Sequence, residues 1–199
     1  MCGIFGILYF SGGGIPPEDK LNTSVKLLSH RRPDAQKYHA MPGLGLAHAR
    51  LSFLDTHERS HQPMWDASRR YAILFNGEIY NFRELRAELT EKGYSFVTDS
   101  DTEVLLNALI AYEPQDILPR LNGMFGFAFF DTQSRTVLLA RDRFGMKPLF
   151  FHANSDFIAM ASEVKALSPW IDLQPDKFML ASYLLKFGGP TRGHSFYDG

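Results

Sequence analysis

The chain has 199 residues, a formal net charge of −1, 45% hydrophobic and 14% aromatic residues, and one cysteine. That length and apolar content suffice for one well-buried domain, and the charge balance offers no basic footprint for nucleic acid or an anionic membrane surface. A single cysteine excludes an internal disulfide, no apolar stretch reaches the ~18–20 residues of a membrane span, and the first residues lack the charged and apolar regions of a signal peptide, which together point to the cytoplasm.

Residues 2–10 are short, apolar and aromatic, with Gly3 and Gly6 admitting close neighbours, and predict a buried strand. Ser11-Gly12-Gly13-Gly14 reads as a turn, since it lacks the Lys-Ser/Thr end of a phosphate loop. A helix is expected over 18–29 with Leu21, Val25 and Leu28 on one face, a loop over 30–42, and a strand over 43–54 with His48 and Arg50 as polar insertions. A loop follows to Asp66. Tyr71–Phe75 is a buried strand expected to break at Asn76-Gly77, a strong turn dipeptide. Asn81 and Glu84 have capping-box spacing for a helix over 82–92. Ser100 or Asp101 is expected to cap a helix over 101–112, with a short helix over 114–120.

Met124–Phe130 is too short and aromatic for a helix and predicts a strand, with Thr136–Ala140 as its hairpin partner. Leu149–His152 and Phe157–Ala161 form a further pair, and 163–168 and 176–187 read as helical. Many short strands with helices inserted in blocks argue an α+β fold with largely antiparallel sheets.

Cys2 is a candidate nucleophile by its position behind the initiator methionine. If Met1 is removed, Cys2 carries both a thiol and an α-amine, groups that titrate near 8.5 and 7.7–8.0 and are matched for proton exchange near neutral pH. The plain alternative is a small residue starting a strand. A thiol nucleophile needs donors for a developing oxyanion. Asn76 offers a side-chain amide and Gly77 an unobstructed backbone N–H, unless the pair is an ordinary hairpin turn. Arg50, inside an apolar strand, needs a fixed anion: Asp34 or Asp55 in an internal ion pair, or a substrate carboxylate. Asp101 either caps its helix or holds a substrate ammonium, and Glu78 is a loop acid or a site acid. A Cys–His pair with His30 or His48 is open by spacing. His57 and His61 stand four apart with no third metal ligand placed by spacing.

Met1–Ile7, Ala47-His48-Ala49-Arg50-Leu51-Ser52, Gln62-Pro63-Met64, Phe75–Asn81, Ser100-Asp101-Thr102-Glu103, Leu121–Phe125, Ala140–Leu149 and Ala161–Leu167 occur in the order found in class II, N-terminal nucleophile, glutamine amidotransferase domains. The chain strongly resembles that family, and most closely its asparagine synthetase branch. The resemblance implies a four-layer α-β-β-α sandwich of two mainly antiparallel sheets over a single domain, 1–199, with residues 188–199 leading toward a C-terminal synthetase domain.

It further implies that Cys2 attacks the side-chain amide of L-glutamine, with Asn76 and Gly77 as oxyanion hole. Arg50, beside Leu51, would bind the α-carboxylate, and Asp101 with Glu78 the α-ammonium. No cofactor or metal is expected in this domain. ATP and Mg²⁺ belong to the synthetase domain, whose Ser-Gly-Gly-x-Asp-Ser signature is absent here. A homodimer is open. One departure stands out: His30-Arg31-Arg32-Pro33-Asp34 has Arg32 where the family has glycine. It leaves open an acceptor other than aspartate. A non-catalytic docking module with the same fold is the further alternative.

Overall fold

A computed structural model of the chain describes residues 2–31, 35–50, 62–185 and 195–197, without the side chains of Ala35, Gln36 and Arg50. Arg32, Asp34, Leu51, Asp55, His57, His61 and most of 188–199 lie outside the described residues.

The elements in chain order are β1 (Gly3–Tyr9), α1 (Glu18–Leu27), β2 (Ala35–Met41), β3 (Leu44–Arg50), β4 (Met64–Trp65), β5 (Tyr71–Ile79), α2 (Phe82–Glu91), α3 (Asp101–Ala111), α4 (Pro114–Ile117), β6 (Gly123–Asp131), β7 (Thr136–Arg141), β8 (Phe150–Ala153), β9 (Phe157–Ala161) and α5 (Lys177–Leu184). Short 3₁₀ turns cover Ser29–Arg31, Leu118–Arg120 and Val164–Leu167. One sheet has the order β2-β3-β1-β9-β8 and the other β4-β5-β6-β7, and every pairing is antiparallel.

Strand alternation sorts the apolar residues into three buried clusters, and these are the three interfaces of a four-layer stack. Phe5 and Ile7 of β1 pack with Leu21, Val25 and Leu28 of the α1 layer. Ile4 and Leu8 point the other way and meet Ala72 and Leu74 of β5 and Ala128 and Phe130 of β6 between the sheets. Ile73, Phe75 and Ile79, on the opposite face of β5, pack under Leu85, Leu89, Val104 and Leu105 of α2 and α3. The α-β-β-α sandwich is therefore written in the period-two pattern of β1 and β5.

The relative direction of β1 and β5 places the functional residues. A Cβ on Gly6 would lie 3.4 Å from Leu74 Cδ1, so the two strands face each other at mid-length. Gly12, just past the end of β1, lies against the Arg135 side chain. Arg135 sits in the β6–β7 turn, at the Tyr71 end of β5, since Tyr71 pairs with Asp131. The Cys2 end of β1 thus lies at the end of the sandwich where β5 carries Asn76, Gly77 and Glu78.

Three expectations change. Residues 35–41 form a strand, not a loop. β2 is an edge strand held by its ladder to β3, so it does not need the apolar alternation of a central strand. Asn76-Gly77 does not end β5, which pairs with β6 out to Ile79 opposite Gly123. A Cβ at Gly77 would collide with the Met124 carbonyl and come 2.7 Å from Phe125 Cα, so this glycine permits close pairing rather than a turn. Asn81 makes no capping bond to α2. Its side chain instead donates to the Arg120 carbonyl at 3.0 Å and accepts from the Asn122 N–H at 3.0 Å.

The Gly77 contact sets a stability expectation. Gly77→Ala must push β6 away or tilt β5, at a cost of about 2 kcal/mol or more, which lowers Tm by roughly 5 °C or more. Thermal melting checks this; an unchanged Tm would mean that β6 yields freely.

Candidate active site

Cys2 precedes the first residue of β1 and is half-buried. By alternation it shares the inter-sheet side of β1 with Ile4 and Leu8. Its backbone is held from two directions. Arg31 Nε donates to the Cys2 carbonyl at 3.2 Å. Two residues on, the Ile4 N–H donates to Ser162 Oγ at 3.1 Å and the Ile4 carbonyl accepts from the Ser162 N–H at 2.9 Å.

Asn76 shares the inter-sheet face of β5 with Ala72 and Leu74. It is 1% exposed, and its Nδ2 has no hydrogen-bond partner among the described residues. A buried amide donor without an acceptor costs about 1–3 kcal/mol, so its retention asks for a function.

The ladder phase fixes the direction of the Gly77 N–H. The Tyr80 N–H donates to the Asn122 carbonyl at 2.7 Å, so Glu78 and Asn76 exchange bonds with β6, while Ile79, Gly77 and Phe75 turn theirs away from it. On that outward edge the Phe75 N–H and carbonyl are taken by the Gln62 side-chain amide, at 2.6 and 3.0 Å. The Ile79 N–H is taken by Asp101 Oδ2 at 2.9 Å. The Gly77 N–H points out between these two capped positions. Gln62, whose motif carries no role in the sequence reading, thus serves as a one-residue strand substitute beside β5.

Asp101 is the first residue of α3 and is 6% exposed. Burial pushes its carboxyl above the ordinary range, and the nearby Glu78 carboxylate adds to the push, against the pull of backbone N–H groups that include Ile79. The expected N-cap is Ser100, whose side chain accepts from the Glu103 N–H. The Glu103 carboxylate in turn accepts from the N–H groups of Val97 and Thr98 at 2.8 and 2.6 Å, bracing the loop that leads into Asp101. Glu78 is half-buried on the same side of β5 as Asn76.

The structure therefore brings Cys2, Asn76, Gly77, Glu78 and Asp101 to one end of the sandwich. Arg50 occupies the last position of β3, one residue past the Gly3–Ala49 pair and opposite Ala35, which puts its backbone at the same end. Its side chain and the whole of Leu51 lie outside the described residues. Of the two histidines weighed as partners for Cys2, His30 bonds to Glu163 through Nε2 at 2.9 Å, and His48 is buried opposite Ile4. No group of three or more His, Cys, Asp or Glu suited to a metal ion occurs among the described residues, and none of their helices is long and apolar enough to cross a membrane. A thiol, a stranded amide donor, an outward backbone N–H and buried carboxylate chemistry at one mouth suit acyl transfer from a zwitterionic substrate.

Comparison with known proteins identifies the family. Asparagine synthetase [glutamine-hydrolyzing] 1 of Bacillus subtilis is 37% identical over 187 residues, covering 92% of this chain and 29% of its own length. Asparagine synthetase B [glutamine-hydrolyzing] of Escherichia coli is 35% identical over 199 residues, covering 100% of this chain and 35% of its own length. The chain thus spans about a third of these relatives. Among solved structures, the glutamine phosphoribosylpyrophosphate amidotransferase of B. subtilis superposes with a TM-score of 0.65 at 22% identity, over 84% of this chain and 43% of that one. A structure described as the allosteric regulatory enzyme of purine biosynthesis gives 0.67 at 20% identity, with the same coverage of 84% and 43%. These two share the fold. The family model described as a glutamine amidotransferase domain matches residues 1–199, and the chain belongs to that family.

Proposed function

We propose that this domain hydrolyses L-glutamine to glutamate and ammonia through a thioester on Cys2, and that the ammonia serves an ATP-dependent asparagine synthetase-like domain. The observation that carries the reading is the buried Nδ2 of Asn76, without a partner among the described residues, at the Cys2 end of the inter-sheet space. Met1 is removed first, which frees the Cys2 α-amine. The amine takes the thiol proton as sulfur attacks the side-chain carbonyl carbon of glutamine. Negative charge gathers on the carbonyl oxygen and is met by Asn76 Nδ2–H and the Gly77 N–H. The amine returns its proton to the departing nitrogen, the C–N bond breaks and ammonia leaves. Water then attacks the thioester and loses a proton to the amine. Glutamate departs and the thiol is restored.

Arg50, beside Leu51, binds the substrate α-carboxylate as a bidentate donor. Asp101, helped by Glu78, binds the α-ammonium. These steps use no cofactor of this domain; ATP and Mg²⁺ serve acceptor activation in the synthetase domain. The names of the relatives support aspartate as acceptor, and their greater length supports a further domain. The exposed apolar residues of α5 support one too, since Phe178 and Leu184 are 74% and 76% exposed.

The test pairs N-terminal mass spectrometry with a glutaminase assay. Protein lacking Met1 is expected to release glutamate and ammonia in equal amounts, and protein retaining Met1 is not. Absence of glutamate release from Met1-free protein would overturn the reading.

Asp101 gives this reading a pH signature. Its carboxyl is raised in the free domain, chiefly by burial. An ammonium beside it favours the ionised form and draws the value down, so glutamine binding releases a proton. Affinity is full above the raised value and falls as pH drops through it. The stability linkage has the opposite sense: the raised carboxyl favours folding below its unfolded value and loses that contribution as pH rises through the folded one. Asp101→Asn keeps an oxygen for the Ile79 N–H but loses the charge. KM for glutamine is expected to rise about 10–100-fold with a smaller change in kcat, and the acidic fall in affinity is expected to vanish. An unchanged KM would remove Asp101 from the substrate site.

A further inference from the structure

Resting on the glutaminase reading, we propose that Glu163 is a positioning residue for the nucleophile: it holds the Arg31 guanidinium against the Cys2 carbonyl and so fixes the backbone that carries the thiol. Glu163 follows Ser162 at the end of β9, 132 residues from Arg31 in sequence. Its Oε1 accepts from an Arg31 terminal nitrogen at 2.6 Å, while Arg31 Nε reaches the Cys2 carbonyl at 3.2 Å. The Arg31 side chain is only 8% exposed and that of Glu163 25%, so the pair is shielded and its geometry is defined. His30 Nε2 at 2.9 Å and Lys165 Nζ at 3.3 Å complete the shell of the carboxylate. Burial alone would raise the Glu163 carboxyl; the bonds from Arg31, His30 and Lys165 outweigh it and keep the group below the usual carboxylate range.

The two ends of the β1 entry are thus clamped by adjacent residues. Ser162 fixes Ile4 directly, and Glu163 fixes Cys2 through Arg31. Glutamine binding is assigned to Arg50 on β3 and Asp101 on α3, whereas the bonds of the Glu163 carboxylate among the described residues go to Arg31, His30 and Lys165. Loosening Cys2 by as little as ~1 Å costs a reaction on the order of 10²-fold while leaving the substrate subsites in place.

The experiment is a mutant cycle on the Met1-free chain, with wild type, Arg31→Ala, Glu163→Ala, the double variant and Glu163→Gln. Glu163→Ala is expected to lower kcat about 10–100-fold with KM for glutamine within about threefold. The double variant is expected to be no worse than Arg31→Ala, because both changes break one path. Glu163→Gln keeps an acceptor oxygen opposite Arg31, so kcat should return to within about fivefold of wild type, and its small loss should vanish in the Arg31→Ala background. If Glu163→Ala does not fold, that second comparison decides alone. Wild-type kcat in Glu163→Ala, additive losses, or KM rising in step with the fall in kcat would overturn the proposal. Absent turnover by wild type would count against the glutaminase reading instead. The rate of iodoacetamide alkylation of Cys2, the chain's one cysteine, then carries the same cycle. A non-additive change of at least about threefold supports the positioning role, and additive or absent changes overturn it.

Discussion

Cys2→Ala is expected to reduce glutamate release by at least ~10³-fold, to assay background, while glutamine still binds within a few-fold of its normal affinity. The separation follows from where the groups sit. In the proposed mechanism the thiol makes the covalent bond, whereas recognition of the amino-acid end is assigned to Arg50 and Asp101 on other elements. The change itself is structurally mild. Cys2 lies before the first residue of β1 and is half-buried, and the Arg31 and Ser162 bonds that hold this entry go to the backbone of Cys2 and Ile4. Folding stability is therefore expected to move by less than about 1 kcal/mol. Kinetics together with calorimetric titration of glutamine check both halves. Activity within tenfold of wild type in Cys2→Ala would end the thioester mechanism. Loss of binding along with activity would show that the thiol side chain shapes the glutamine pocket.

The strands that position the candidate site were legible where burial imposes a pattern. β1, β5 and β6 are apolar runs because each lies in the interior of a sheet with both faces covered. β2 was not legible because an edge strand is held by backbone bonds that leave no mark on side-chain pattern. Asn76-Gly77 misled in an instructive way. The dipeptide has strong turn propensity, yet nine consecutive pairings with β6 override it. The same pairing makes the glycine necessary and aims its N–H outward.

Cys2, Asn76 and Asp101 stand out as candidates in the sequence because their motifs come in a recognisable order. The partnership of Arg31 with Glu163 was not, since only the path of β9 back beside β1 brings residues 31 and 163 together. Glu163 lies in the Ala161–Leu167 motif, and its proposed role follows from the contact with Arg31 that the topology creates. Gln62 is a similar case: its duty is to close backbone valences on β5, which no local pattern announces.

Asn76→Ala separates stability from activity most sharply. The Asn76 amide is 1% exposed, and its Nδ2 finds no acceptor among the described residues. In the resting fold this donor is a liability of about 1–3 kcal/mol, which removal relieves. The small cavity left by truncation works the other way. The two nearly offset, so ΔΔG of unfolding is expected within about 1 kcal/mol of zero. In the proposed reaction the balance reverses. A carbonyl oxygen that becomes negative beside Nδ2 gains a preorganised donor in a water-poor site, and losing such a donor costs about 10²–10³-fold in kcat. KM should change little, because the donor is strongest toward charge that exists only in the transition state. Asn76→Asp provides the complementary control: it preserves shape but places an acceptor, and at neutral pH a negative charge, where the oxyanion forms. Its kcat is expected to fall at least as far as that of Asn76→Ala. Denaturant melts and steady-state kinetics on the two variants read both quantities. A kcat within fivefold of wild type in Asn76→Ala would dismiss the amide as an oxyanion donor, and a loss of stability above about 3 kcal/mol would show that its role is to hold the fold.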